Sequence, residues 1–310
     1  MKDTPESLSV VTPAYNEARN LPEFYRQLKG ALDGAGVSWE WVVVDDHSED
    51  DTFDVIANLA ASDPRVRGIR LTRNFGSHAA IVCGLKTAQG KAAAVLASDL
   101  QDPPKVIGPM IAQWREGFPV VWAVRTGNPD TSFFRRFFSR AYYKMLRQLG
   151  NLKMMPPTGA DFFLVDRQVM ENLFQCGETY NDLFALIHWM GFPSAQVSYQ
   201  KGPRRFGASG WSFGKKMALF FDALSAFTDA PLRWTFWIGL FTSCLGFLYA
   251  LMVVVNAGFG KPPLGWSSLM VVMLLLGGVQ MLMIGLLGQY VWRSLGEARR
   301  RPRYIVEKTT

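Results

Sequence analysis

Two carboxylates and an amide follow a run of small apolar residues in the stretch "SDLQDPP", residues 98–104. Asp99, Gln101 and Asp102 carry the oxygen atoms that Mg²⁺ and Mn²⁺ prefer as ligands. The prolines at the end stiffen the loop, because a proline fixes its own φ and restricts the residue before it. We expect Pro104 to begin a helix, and Asp102 to cap that helix and not to bind an ion.

Two further polar clusters end short apolar runs earlier in the chain. "PAYNE", residues 13–17, ends the run "LSVVTP", and "DDHSEDDT", residues 45–52, ends the run "WEWVVVDD". Short runs rich in β-branched and aromatic residues are typical of strands. One aspartate at a strand end is often a helix cap, but three acidic strand ends favour a ligand site.

Apolar runs alternate with helical patterns through the first part of the chain. This alternation predicts an α/β domain with a mostly parallel central sheet that is covered on both faces. In such sheets ligands bind beyond the carboxyl ends of the strands. The predicted strands are Leu8–Pro13, Trp39–Asp46, Val66–Thr72, Ala92–Ser98 and Phe118–Arg125, and the predicted helices are Leu21–Leu32, Thr52–Ala61, Ser77–Ala88 and Pro104–Glu116.

Carboxylates, and not glycines, line the predicted site. The sequence has no Gly-x-Gly-x-x-Gly after its first strand and no Walker A motif, which argues against a dinucleotide or ATP phosphate loop. Carboxylates alone would repel a diphosphate. A divalent cation removes that repulsion, because it binds Asp and Gln oxygens on one side and phosphate oxygens on the other.

Two uncharged apolar segments, 234–255 and 267–292, are long enough to cross a membrane as helices. The alternative is a pair of buried helices in a soluble core. Only Lys261 lies between the segments, whereas Arg233 precedes them and "RSLGEARRRPR" follows, so the positive-inside rule places both ends in the cytoplasm. The start of the sequence lacks an apolar signal region, and we expect the first part to be cytosolic.

The composition narrows the choice of partners. The net charge is +7 with a pI near 9.4, but no nucleic-acid-binding motif is present and the basic residues lie beside aromatic residues and the apolar segments. Anionic membrane lipids are therefore the predicted partner, and not nucleic acid. Three widely spaced cysteines and three scattered histidines indicate neither a disulfide framework nor a zinc site.

Six blocks occur in an order that resembles family 2 glycosyltransferases of the GT-A fold. The similar branch is the one that glycosylates polyprenyl phosphates, which includes dolichyl-phosphate mannose synthases and bactoprenol glucosyltransferases. The blocks are "TPAYNEARNLP", "VVVDDHSEDDT", "RNFGSHAAIVCGL", "SDLQDPP", "GADFFLVDR" and the closing pair of apolar segments. The resemblance covers nearly the whole chain.

The resemblance implies an inverting sugar transfer on a GT-A domain with a C-terminal two-helix transmembrane hairpin. The donor would be a nucleotide-diphosphate sugar, UDP-glucose or another UDP-hexose, and the acceptor a polyprenyl phosphate such as undecaprenyl phosphate. The lipid-linked sugar would serve later modification of glycan, lipopolysaccharide or cell wall. The residues implied to hold the nucleotide base and ribose are Pro13, Tyr15, Glu17, Asp45 and Asp46.

Asp99 and Gln101 are implied to hold Mg²⁺ or Mn²⁺ on the donor diphosphate, which makes Asp99 part of the catalytic set. The family's motif often reads Asp-Ala-Asp-Leu-Gln, and this chain has Ala97 at the first acidic position. Fewer protein ligands then face the ion, so diphosphate and water would complete its coordination shell.

On the acceptor side, Asp161 in "GADFFLVDR" resembles the family's proposed catalytic base. A phosphate monoester is mostly dianionic at neutral pH, so Asp161 would act as a base, orient a substrate, or serve the structure alone. The segment "FFRRFFSRAYYKMLRQL", residues 133–149, is an interfacial helix or an ordinary solvated amphipathic helix. The resemblance places Arg136, Ser139 and Arg140 near the lipid phosphate.

The glycine-rich segment "GPRRFGASGWSFGKK", residues 202–216, resembles a loop that closes over the donor phosphates. Arg204 matches the arginine of that loop and would bind the donor. Gly210 replaces a lysine common in relatives, and Lys215 or Lys216 would substitute for it. A simple linker to the first apolar segment would look similar.

The predicted organisation is a cytosolic GT-A domain at 1–212, a juxtamembrane interfacial helix at 213–232, two transmembrane helices at 233–293 and a basic cytosolic tail at 294–310. The predicted location is the bacterial cytoplasmic membrane. Glycines in the second apolar segment either pack helices in a homo-oligomer or are ordinary membrane glycines. Because two helices are few for moving a lipid-linked sugar across the membrane, we expect a separate flippase.

Two other functions compete with this interpretation. A processive polysaccharide synthase would carry a Gln-x-x-Arg-Trp helix, and the similar run "QYVWR", residues 289–293, has a different order. A decayed transferase that acts as a membrane scaffold is favoured by Ala97 and opposed by Asp45, Asp46, Asp99, Gln101 and Asp161 together. Metal-dependent binding of a nucleotide sugar separates these possibilities.

Overall fold

The computed structural model describes residues 6–126, 162–176, 183–200, 202, 230–258, 265–299 and 301–310. The chain divides into two compact units. Met1–Ala218 together with Pro302–Thr310 form the first, and Leu219–Arg301 form the second. The first unit is therefore discontinuous in the sequence.

An eight-stranded mixed sheet organises the first unit, with the order β7-β5-β6-β4-β1-β2-β3-β8. Its centre, β4-β1-β2-β3, is parallel, and so is the β5-β7 pair. β6 is antiparallel to both of its neighbours, and β8 is antiparallel to β3. The strands are β1 Ser7–Ala14, β2 Ser38–Asp45, β3 Val66–Leu71, β4 Ala92–Val95, β5 Val120–Arg125, β6 Phe162–Asp166, β7 Ser194–Tyr199 and β8 Val306–Thr309.

Helices cover both faces of this sheet, as the predicted α/β class requires. α1 shows why the sequence folds so: its buried residues Leu21, Phe24, Leu28 and Leu32 form one apolar stripe, and Pro22 lies in its first turn. The helices of this unit are α1 Leu21–Leu32, α2 Thr52–Ser62, α3 Ser77–Thr87, α4 Ile107–Arg115, α5 Arg167–Gln175 and α6 Leu183–Trp189, and a short 3₁₀ helix, Pro104–Val106, precedes α4.

The central strands are apolar on both faces because each face carries its own core. Trp41 and Val43 of β2 belong to the cluster that includes α1 and α4, whereas Val42 and Val44 belong to the cluster with α3. α3 lies very close to the sheet at Gly84, where an added Cβ would come within 2.3 Å of Val11 Cγ1. Only glycine fits there without a shift of the helix.

Three strands, β6, β7 and β8, were not among the predicted elements. β7 pairs parallel with β5 at one edge of the sheet. β6 lies in "GADFFLVDR" and inserts antiparallel between β4 and β5. β8 lies in the segment expected to be a basic tail and extends the sheet beside β3. The predicted domain boundaries stay predictions, with residues 302–310 now assigned to the first unit.

Two long helices, α7 Ala230–Gly258 and α8 Trp266–Ala298, dominate the second unit. Within α7, residues Thr235–Val253 are long and apolar enough to cross a membrane, and none of that window is buried inside the protein. This is the one such helix among the residues described. The two helices approach each other where Gly239 would place a Cβ 3.8 Å from Met283 Cε.

Candidate functional site

The three strands that end in polar residues lie side by side. β4, β1 and β2 are parallel neighbours, so their carboxyl ends meet at one edge of the sheet. The loops that follow are bonded together: the Ser98 hydroxyl donates to the Pro13 carbonyl oxygen at 3.3 Å, and the Asp46 N–H donates to the Ala14 carbonyl oxygen at 2.9 Å. The structure thus brings the three polar clusters into contact.

Each of these loops contains one residue other than glycine with a left-handed backbone. The φ angle is 56° at Asn16, 61° at His47 and 59° at Leu100, and no other non-glycine residue in the described ranges has a positive φ. A left-handed conformation costs an L-residue roughly 1–2 kcal/mol. Such strain persists where contacts enforce it and clusters at ligand sites, so the backbone marks the same edge as the sequence pattern.

The loop after β1 is fastened to the loop after β2. The Asn16 N–H donates to Ser48 Oγ at 2.9 Å, and the Glu17 N–H donates to Thr52 Oγ1 at 2.9 Å. Tyr15, just before these bonds, is 41% exposed. An exposed aromatic ring on a fixed loop is suited to stack on a planar base, and the nucleotide-binding role of Tyr15 stays a prediction.

Asp45 is fully buried at the end of β2. Its Oδ1 accepts hydrogen bonds from the Ser48 N–H at 3.0 Å and from the Ser48 hydroxyl. Its Oδ2 accepts a hydrogen bond from Arg70 Nη1 at 3.0 Å, which is also a salt bridge. This carboxylate holds the turn of its own loop, and a direct contact with a nucleotide stays a prediction.

Asp46, its buried neighbour, holds a third loop. Oδ1 accepts a hydrogen bond from the Phe75 N–H at 2.7 Å, and Oδ2 accepts one from the Gly76 N–H at 2.8 Å. Burial raises the pKa of this carboxyl above its ordinary value, and the two backbone N–H groups counteract part of that rise. Asp46 therefore orders the segment between β3 and α3, and its nucleotide role also stays a prediction.

Asp99 and Gln101 form a half-buried turn after β4, in contrast to the two buried aspartates. The Gln101 N–H donates to Asp99 Oδ1 at 3.2 Å, and the Gln101 carbonyl oxygen accepts from the Gly202 N–H at 2.8 Å. The segment that resembles a closing loop, residues 202–216, therefore begins against this turn. Its remaining residues lie outside the described ranges.

The chemistry of this turn fits a hard divalent ion, because it combines a carboxylate with an amide oxygen at an accessible sheet edge. Among the described residues no group of three or more His, Cys, Asp and Glu side chains is placed to hold a metal. An ion held by Asp99 and Gln101 would need further oxygen ligands from a diphosphate and water.

Asp102 does not cap the following helix. The 3₁₀ helix begins after Pro103, which occupies the cap position with φ −73° and ψ 127° and makes no side-chain cap bond. The buried Asp102 carboxylate instead accepts from the Tyr199 hydroxyl of β7 at 2.5 Å. The capping prediction was wrong because a partner from a distant strand binds this carboxylate, whereas Pro104 begins the helix as expected.

The remaining predicted site residues, Asp161, Arg136, Ser139, Arg140 and Arg204, lie outside the described residues, as do Lys215 and Lys216. The structure adds Ser48, Arg70 and Glu307 to the edge. Arg70 Nε donates to Glu307 Oε2 at 3.2 Å while its Nη1 donates to Asp45. A charged residue inside the apolar run "VRGIRLT" was the available signal for Arg70, but no sequence signal pointed to Glu307.

The sheet and its polar edge define a GT-A-like α/β domain. The crystal structure of glucosyl-3-phosphoglycerate synthase from Mycobacterium tuberculosis, in complex with Mn²⁺, uridine diphosphate and phosphoglyceric acid, matches with a TM-score of 0.50 and 17% identity, over 71% of this chain and 76% of that one. At this identity the likeness concerns the fold alone. The chain belongs to glycosyl transferase family 2, whose model matches residues 9–174, and is thereby a glycosyltransferase.

Relatives match over almost the full length. An uncharacterized glycosyltransferase, YkcC, of Bacillus subtilis (strain 168) is 36% identical over 302 residues, which cover 97% of this chain and 93% of the relative. The SfII prophage-derived bactoprenol glucosyl transferase of Shigella flexneri is 35% identical over 304 residues, 97% of this chain and 98% of the relative. The model of the GtrB C-terminal hairpin matches residues 230–293, the region of α7 and α8.

Proposed function

We propose that this chain transfers a hexose, with inversion, from a UDP-sugar to a polyprenyl phosphate at the cytosolic face of a bacterial membrane. UDP-glucose is the first donor to test and undecaprenyl phosphate the first acceptor. The observation that carries the proposal is the meeting of three polar, strained loops at one edge of a GT-A-like sheet. Similarity to a bactoprenol glucosyl transferase over 97% of the chain supports the acceptor class.

The donor would lie along the edge formed by the ends of β1, β2 and β4. Tyr15 would stack on the base, and the loops held by Asp45 and Asp46 would surround the ribose. Asp99 and Gln101 would hold Mg²⁺ or Mn²⁺ against the diphosphate. A bound divalent ion offsets the negative charge that develops on the leaving nucleoside diphosphate.

The reaction needs little proton transfer. An acceptor phosphate oxygen, already deprotonated at neutral pH, would attack the anomeric carbon as the bond to the UDP oxygen breaks, and the electron pair of that bond leaves with UDP. Attack opposite the leaving group inverts the configuration. Asp161 would orient the acceptor or donor, and Arg136, Ser139, Arg140 and Arg204 would bind the phosphates; these five roles rest on the family resemblance.

The membrane topology is also part of this proposal. α7 and α8 would form a hairpin whose connecting loop, with Lys261 as its one charged residue, faces away from the cytoplasm, and both termini would be cytosolic. A membrane-impermeant maleimide added to intact cells or spheroplasts should label Lys261→Cys above the wild-type background and leave Thr310→Cys unlabelled. The opposite labelling pattern would refute this orientation.

The decisive experiment incubates the detergent-purified chain with undecaprenyl phosphate, Mg²⁺ or Mn²⁺ and a panel of UDP- and GDP-sugars, and measures sugar transfer into the organic phase. Asp99→Ala serves as the inactive control. We expect metal-dependent transfer from one UDP-hexose. Nucleotide binding without any transfer would refute the acceptor, and folded protein with neither binding nor transfer would favour the scaffold function that Ala97 suggests.

A further inference from the structure

The last strand of the sheet, β8, joins the catalytic domain beside the candidate donor site. It pairs antiparallel with β3, and the register changes between Arg70, which pairs with Lys308, and Leu71, which pairs with Val306. Glu307 is therefore the additional residue of a β-bulge. Bulges redirect side chains, and this one directs Glu307 toward Arg70 and His47.

Glu307 is the first member of a chain of bonds that ends at the donor loops. Its Oε2 accepts from Arg70 Nε at 3.2 Å and lies 3.5 Å from His47 Nδ1. Arg70 uses its other two nitrogens on the loop after β2: Nη1 donates to Asp45, and Nη2 donates to the Ser48 carbonyl oxygen at 3.1 Å. Arg70 thus spans from the tail to the turn that Asp45 holds.

Ser48 carries the connection to the loop after β1. Its hydroxyl donates to Asp45 and accepts from the Asn16 N–H, one residue after Tyr15. The network therefore runs from Glu307 through Arg70 to Asp45 and Ser48, and then to the backbone beside Tyr15. Two of the three strained residues, His47 and Asn16, lie within it.

The tail is packed well enough to fix Glu307. Lys308 Nζ lies 4.5 Å from the centre of the Phe53 ring, and Thr310 Oγ1 accepts from the Gly68 N–H at 2.8 Å. Tyr304 packs beside Cys83 of α3, and burial raises the pKa of the Tyr304 hydroxyl to about 12. Contacts on both sides of the bulge thus hold the backbone of Glu307.

We propose that Glu307 is a positioning residue for the nucleotide-sugar donor, acting through Arg70 on the loop that carries Asp45 and Ser48. Glu307 fixes the Arg70 guanidinium so that its two Nη groups stay on that loop. Without the carboxylate, Arg70 can rotate away and the donor loops lose their fixed geometry. This inference rests on the proposed function, because it takes the edge to be the donor site.

Whether UDP binds more tightly or more weakly when the Glu307 charge is removed distinguishes a positioning role from a purely electrostatic one. Removing a negative charge near a UDP-sugar should tighten binding if the charge acts only through the field, because the donor is an anion. Positioning predicts the reverse. The test measures UDP binding in the presence of Mn²⁺ by titration calorimetry, together with kcat and KM for the donor, on the full-length chain in detergent.

We expect Glu307→Gln to weaken UDP binding about 3- to 10-fold and to raise the donor KM to match, with kcat changed less than twofold because the Asp99 turn is untouched. Glu116→Gln is the matched control, since Glu116 is exposed at the end of α4. It should bind UDP like the wild type. Arg70→Gln should weaken binding further, and Arg70→Gln with Glu307→Gln should bind like Arg70→Gln alone.

Unchanged or tighter UDP binding by Glu307→Gln would overturn the inference, and so would a double variant in which the two effects multiply. If Glu307→Gln proves too unstable to titrate, Glu307→Ala is measured instead, and wild-type affinity in that variant would also overturn it. Wild-type protein that binds neither UDP nor GDP would refute the proposed function and this inference with it. UDP binding that Glu307→Gln leaves intact would refute this inference alone.

Discussion

The two acidic regions of the sheet edge differ in burial and in what their side chains do. Asp45 and Asp46 are 0% and 3% exposed, and each has both oxygens engaged by protein groups. Asp99 and Gln101 remain half-buried on a strained turn. The first region shapes the loops, whereas the second is the proposed metal site. The proposed function therefore assigns structural work to one acidic region of the edge and metal binding to the other.

The largest effect should come from the accessible region. Asp99→Asn keeps the size of the side chain but removes the negative charge that would attract the divalent ion. We therefore expect transfer to fall about 100- to 1,000-fold. The thermal midpoint should stay within about 2 °C of wild type, because a half-buried polar change of this kind costs little stability. A large fall in the thermal midpoint would show that Asp99 is structural, and the two acidic regions would then not differ in role.

A substitution in the buried region should instead act mainly on stability. Asp45→Asn leaves Arg70 without its buried carboxylate, and we expect the free energy of unfolding to fall by about 2–3 kcal/mol. Thermal or urea unfolding in detergent measures this, with Glu116→Gln as the exposed acidic control. Wild-type stability combined with lost nucleotide binding would instead make Asp45 a direct ligand.

A smaller effect, on the donor KM, is expected from replacing Tyr15, the exposed aromatic residue in the loop after β1. Tyr15→Ala should raise the donor KM about tenfold, since one base stacked on an aromatic side chain contributes about 1–3 kcal/mol. Tyr15→Phe keeps the ring and should bind the donor within about twofold of wild type. Equal KM values for the alanine variant and the wild type would exclude stacking at this position.

The smallest effect should come from adding a carboxylate to the accessible region. Ala97 is partly exposed, and it stands at the first acidic position of the family motif that this stretch resembles. Ala97→Asp gives the turn a further hard oxygen ligand, so the Mn²⁺ concentration for half-maximal transfer should fall a few-fold. Ala97→Asn, which adds bulk without charge, is the control. An unchanged Mn²⁺ concentration for half-maximal transfer in Ala97→Asp, or a lower concentration in both variants, would contradict a two-ligand site.

The sequence predicted the central strands and the four helices between them to within a few residues, because apolar periodicity and turn residues define such elements locally. It did not predict β8, whose residues Val306–Thr309 are all exposed and include only one apolar residue, so no periodic pattern marks them. Their pairing depends on contacts with β3, more than 200 residues away. Long-range pairing of an exposed edge strand leaves little trace in local composition.

The candidate site was predictable in residue type but less so in residue role. The positions of Pro13, Tyr15, Asp45, Asp46 and Asp99 at strand ends followed from the pattern. The partners of Asp46 come from Phe75 and Gly76, about 30 residues further along, and those of Asp45 include Arg70 from the neighbouring strand. Only the fold reveals that these carboxylates are already occupied by protein groups.

The return of residues 302–310 to the sheet has a consequence for how the chain is made. α7 and α8 are synthesised before β8, so β3 stays an open sheet edge until both helices have left the ribosome. An unpaired edge strand invites misassembly. Truncation before the helices would keep that edge open permanently, so a water-soluble form of the domain should be built by deleting the second unit and rejoining the last nine residues through a linker.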